Sequence, residues 1–117
     1  MFRHPMRAGL ALLIPLPLVT SLFAQNTSSS VNDIEALIRA QDYDRARTMA
    51  QTALRSSPRN PRLWTLEGII DSITGKTADA SRDFETALKL DPDDPAALRG
   101  EVQIFYKSQD KRAIPLL

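Results

Sequence analysis

Residues 46–58, ARTMAQTALRSSP, and residues 80–92, ASRDFETALKLDP, carry the same framework one period apart. Ala46, Ala53, Leu54 and Pro58 recur as Ala80, Ala87, Leu88 and Pro92, each displaced by 34 residues. Four matches at a single offset are the mark of a repeat array in which each unit is a helix pair. Such a pair cannot bury its apolar face alone and must stack on a neighbour. The chain reads as a scaffold before it reads as an enzyme.

Working outward, apolar residues fall at helical spacing and no segment shows the two-residue alternation of a strand. The tract Ser30-Val31-Asn32-Asp33 has the form of a capping box, and Val31, Ile34, Leu37 and Ile38 share one face of a first helix ending near Gln41-Asp42. A second helix spans about 44–56, closed by Pro58 and Pro61. A third runs from Pro61 to about Thr74, with Gly75 as a left-handed stop. A fourth covers about 78–90. Pro95 opens a fifth, to about Ser108, and a sixth begins near Lys111.

Ahead of the array, Arg3, His4 and Arg7 precede an apolar run from Ala8 to Ala24 and then a Ser-rich tract. This is the pattern of a secretory signal cleaved after Ala24, with 25–30 as a linker. The competing reading is a retained anchor in the inner membrane. Pro15 and Pro17 interrupt any helix there, and the run is at the short limit for spanning a bilayer. Export to the periplasm is the expectation.

Composition removes several chemistries. Cysteine is absent, which excludes disulfides, thiolate metal sites and thiol nucleophiles. The one histidine, His4, lies in the segment expected to be removed, so the mature chain has no imidazole for a triad or a zinc site. Losing Arg3 and Arg7 leaves 13 basic against 14 acidic side chains. There is no basic field for nucleic acid.

The 61–94 unit holds Trp64, Gly68, Ala80, Phe84, Ala87 and Pro92 in the order and spacing W-x₂-L-G-x₂-Y…A-x₃-F…P. It resembles the tetratricopeptide repeat family over about residues 30–117. The resemblance implies an all-α, right-handed superhelical α-solenoid of about two and a half repeats, at about 31–60, 61–94 and an incomplete 95–117. Gly68 and Ala80 are small where helices must approach, and Trp64 and Phe84 fill the space beside them. The unit departs from the pattern at Glu67 and Asp71, four apart on one helical face. They form either a paired carboxylate site or rim acids pairing with arginines. The lack of any other acid–base machinery favours the rim.

In the family, the first helix of each pair lines a concave groove that holds peptides or partner segments. Carried over by position, that surface is Arg62, Thr65, Ile69, Ser72, Arg99, Gln103, Tyr106 and Lys107. The carboxylate-clamp positions hold Val31 and Glu35, Thr65 and Ile69, then Arg99 and Gln103. The clamp asparagines are missing, so a chaperone-tail clamp is not expected. The resemblance implies a non-catalytic protein or peptide binder without metal, cofactor, small-molecule substrate or nucleic acid. Two alternatives stay open: the front part of a longer exported protein whose activity lies beyond residue 117, and a membrane-tethered adaptor. The incomplete third unit leaves Val102, Phe105 and Tyr106 without a full partner, which implies self-association through the open C-terminal end.

Overall fold

The computed structural model describes residues 29–113, with side chains through Gln109. The proposed signal, most of the Ser-rich linker and Ile114-Pro115-Leu116-Leu117 lie outside the described residues. Five helices follow one another with no strand among the described residues: α1 over 29–39, α2 Tyr43–Ser56, α3 Pro61–Ile73, α4 Thr77–Leu90 and α5 Pro95–Ala113. α1 packs on α2 and α3 through Ile34, each later helix packs on the next, and α3 also reaches α5. Within this span, no helix is long and apolar enough to cross a membrane.

The period is written into the joints. Gln41 and Gly75, one period apart, both adopt positive φ, at 63° and 86°. Each closes a helix in the same way. Asp42 N–H bonds Leu37 C=O and Gln41 N–H bonds Ile38 C=O; Lys76 N–H bonds Asp71 C=O and Gly75 N–H bonds Ser72 C=O. This double bond pattern satisfies carbonyls that a helix end leaves orphaned. Helix starts repeat too. Asn60 accepts from Arg62 N–H at 3.0 Å ahead of Pro61, and Asp94 accepts from Ala96 N–H at 3.0 Å ahead of Pro95. A short polar cap followed by proline at the first turn fixes the register of α3 and α5.

Two apolar clusters result. Ile34, Ala46, Ala50, Leu63, Leu66 and Ile70 fill the first, between α1, α2 and α3. Ala80, Phe84, Ala87 and Ala97 form the second, between α4 and α5, and Ile69 packs against both. Phe84 is 1% exposed. A Cβ built at Gly68 would lie 2.6 Å from its ring, and one at Gly100 would lie 2.5 Å from it. The ring is wedged between α3 and α5, and only glycine lets the two helix backbones approach it so closely.

Three sequence expectations change. α1 is already helical at 29, so Ser30 lies inside it and does not cap it. α5 runs unbroken through Ala113, and Lys111 continues it without starting a sixth helix. Neither glycine nor proline interrupts that stretch after Gly100, which is why nothing stops it. Trp64 is half-buried against the second cluster, and its indole N–H donates to Pro58 C=O at 2.8 Å. It pins the corner between α2 and α3, whereas the space beside Gly68 belongs to Phe84.

Candidate binding groove

α3 and α5 are the first helices of successive pairs, and a cleft of about 300 Å³ opens between them. Ile69, Ser72 and Ile73 line it from α3, and Ala96, Arg99, Gly100 and Gln103 from α5, with Phe84 between the two walls. Ile69, Ser72, Arg99 and Gln103 are therefore brought together from two helices, as their placement by position implied. Arg99 is exposed and has no ion pair among the described residues. The cleft offers an apolar floor, a hydroxyl, an amide and an uncommitted guanidinium.

Other expected groove residues are placed elsewhere. Thr65 is 0% exposed, and its hydroxyl donates to Asp94 Oδ2 at 2.5 Å. It fastens α3 to the cap of α5 and offers nothing to a ligand. Arg62 lies on the seam between α1 and α3, where Nε donates to Glu35 Oε1 at 3.0 Å and Nη2 bonds the same oxygen. Tyr106 shares the helical face of Arg99 and Gln103 by spacing but lies beyond the cleft, 64% exposed and edge-on to Phe105 at 5.9 Å. Lys107 is exposed nearby. The reading from position missed Ile73, Ala96 and Gly100. The small residues at 96, 97 and 100 were the available signal, since they mark a face of α5 that another element must approach closely.

Behind this cleft, on the side of α3 opposite Ile69 at about 100° per residue, the two acids of α3 are not at a rim. Glu67 and Asp71 are 7% and 6% exposed, and Asp83 of α4 joins them. Arg47 of α2 reaches across with Nη2 2.5 Å from Asp71 Oδ1 and 3.0 Å from Thr74 Oγ1. Burial pushes the Glu67 carboxyl up, and the Asp71 charge adds to it against Arg47 and Lys76. Burial likewise raises Asp83, to about 7, with the hydrogen bond to Asp71 and the charges of Asp71, Glu67 and Asp79 adding to it. The guanidinium sits on Asp71, the hydrogen-bond partner of Asp83. Arg45 and Arg82 pair with Asp42 and Asp79 in solvent, where such pairs contribute little.

The tetratricopeptide repeat profile matches residues 34–70 and 74–112. The chain belongs to the tetratricopeptide repeat family. A DnaJ homolog subfamily C member 7 homolog from Schizosaccharomyces pombe is 39% identical over 59 residues, which are 50% of this chain and 12% of that protein. The chain thus spans a small part of that relative's length. Tetratricopeptide repeats are generally non-catalytic modules of protein–protein interaction. α1–α2 and α3–α4 are its two helix pairs, and α5 is the first helix of a third.

Proposed function

We propose that this tetratricopeptide array holds an extended segment of a partner protein in the cleft between α3 and α5. The observation that carries the proposal is the uncommitted Arg99, with Gln103, facing Ile69 and Ile73 across that cleft. Ile69 and Ile73 would take an apolar side chain, Gln103 the segment's backbone and Arg99 an acidic side chain. Tyr106 would extend the contact along α5. Arg62 and Thr65 hold the walls in place.

The test uses an array of immobilised twelve-residue peptides probed with the purified chain. Retained peptides should be enriched in acidic residues beside an apolar one. Arg99→Glu should weaken binding to them by about tenfold or more, the scale of one hydrogen bond to a charged group. Arg82→Glu, away from the cleft, should leave binding unchanged. Retention unaffected by both Arg99→Glu and Gln103→Ala would remove the proposal.

The N-terminal pattern supports export with cleavage after Ala24, and the array would then work in the periplasm. Intact mass of the exported protein decides between this and a retained anchor.

A second reading concerns the outer face of α5. Leu98, Val102 and Phe105 are 46%, 51% and 58% exposed. One period earlier stand Trp64, Gly68 and Asp71, which α4 covers in its own pair. A face built to meet a second helix favours pairing of two copies through α5. Sedimentation should show concentration-dependent association that Phe105→Glu abolishes, and a designed helix appended after Leu117 should restore a monomer with a higher Tm. A concentration-independent monomer without that helix would count against it.

A further inference from the structure

We propose that Glu67, Asp71 and Asp83 form a site for one oxygen-preferring divalent cation of the calcium kind, held between α3 and α4 beside Arg47. One carboxylate oxygen from each residue lies within 4.8 Å of the others. Oxygens on opposite sides of a calcium ion stand about 4.6–5.2 Å apart, and around magnesium about 4.0–4.2 Å. Three oxygens no more than 4.8 Å apart can therefore belong to the shell of one calcium ion.

The second observation is Glu67 itself. It is 7% exposed, and its Oε1 is buried without any hydrogen-bond partner. A buried carboxylate oxygen left unpaired is costly. One proton shared by Asp71 and Asp83 would leave that oxygen orphaned, whereas a cation between the three carboxylates serves all of them. Charge agrees: three carboxylates face a single guanidinium from α2, with Lys76 in the exposed turn.

The fold does not require acids at these positions. One period earlier than Asp71 and Asp83 stand Leu37 and Met49, both packed against the first apolar cluster. The counterpart of Glu67 is Asp33, which is exposed, so the first unit closes this space with apolar side chains and buries no acid in it. Asp83 is only partly buried, which leaves an entry route and room for water to complete the coordination of calcium. This departs from the metal-free reading of the sequence, which rested on absent histidine and cysteine. Hard cations need neither.

The full chain, freed of metal with a chelator, is titrated with calcium chloride by calorimetry at pH 8 and melted with and without 5 mM calcium. The expected result is one site with a Kd on the order of 10⁻⁵–10⁻⁴ M and a Tm raised by roughly 10–20 °C. Glu67→Gln should weaken calcium binding at least tenfold. Asp83→Asn should abolish it and stay folded, because its amide can donate to Asp71 where a proton otherwise would. Asp93→Asn, in the exposed turn between α4 and α5, should bind as the parent does. The response should shrink from pH 8 to pH 6 as protons compete for Asp83, whose neighbours are Arg47, Glu67, Asp71, Lys76 and Asp79. Folded protein giving neither heat nor a Tm shift with calcium, magnesium or manganese would show that a proton alone fills the cluster, and would overturn the site. Equal responses in the parent and both cluster variants would overturn it as well. Neither result bears on peptide binding in the cleft, which is read separately through Arg99.

Discussion

Phe84→Ala should cost the array about 3–5 kcal/mol, the range for truncating a large buried aromatic, and should appear as a large drop in the urea midpoint. The ring is 1% exposed and touches α3 and α5 at once through Gly68 and Gly100. Its neighbours in the cluster are Ala80, Ala87 and Ala97, which are too short to collapse into the vacated space. Small domains have about 5–15 kcal/mol of stability in total, so this single truncation removes a large share. The converse change tests the same wedge. Gly68→Ala places a methyl group where the ring now lies, and the ring cannot retreat because Gly100 backs it on the other side. Overpacking of this kind costs about 1–3 kcal/mol. In the Phe84→Ala background the sign should invert, because the clash is gone and alanine favours a helix over glycine by about 1 kcal/mol. A double-mutant cycle by urea denaturation measures the coupling. Equal costs for Gly68→Ala in the two backgrounds would mean that Phe84 is not the wedge.

The features legible in the sequence are those that act locally. Pro58 and Pro92 end helices, Asn60-Pro61 starts one and Gly75 turns the chain, each through its own backbone chemistry, so helix existence and period follow from the chain directly. Gln41 takes the same left-handed turn as Gly75 without being glycine. The turn is held by Gln41 N–H on Ile38 C=O and Asp42 N–H on Leu37 C=O, and no residue-level signal announces it. The groove was legible in part. Ile69, Ser72, Arg99 and Gln103 follow by position from the tetratricopeptide resemblance. Thr65 does not, because what takes it out of the groove is Asp94, 29 residues away. Arg62 was lost in the same way, to Glu35 across 27 residues. The two acids of α3 were hardest. Spaced four apart, they look like a solvated stripe, and only packing shows that Arg47 from α2 and Asp83 from α4 converge on them.

That convergence makes Arg47→Ala the second large effect, and its size should depend on pH. Arg47 and Asp71 have side chains 19% and 8% exposed. Removing one partner of a buried pair typically costs about 3–5 kcal/mol, because the other charge is left uncompensated. Here three carboxylates are left together. In the parent, Asp83 is raised to about 7 from 3.8, so its favourable protonation is fully present below about pH 3.8 and is lost as pH rises through about 7. Glu67 is raised in the same direction. Without Arg47 the Glu67 carboxyl should rise further, since the Arg47 charge lowers it. The variant should therefore lose stability more steeply than the parent between pH 5 and pH 8. Near pH 8 the full cost should be visible, and near pH 5 it should shrink by about half or more as protons replace the missing guanidinium. Arg47→Met separates packing from charge. It keeps most of the buried stem, so it should behave like Arg47→Ala at pH 8 if charge governs, and like the parent if packing does. Urea midpoints of the three proteins at the two pH values decide the matter. A cost equal at pH 5 and pH 8 would mean that Arg47 fills space between α2 and α3 and does not neutralise the carboxylates behind it.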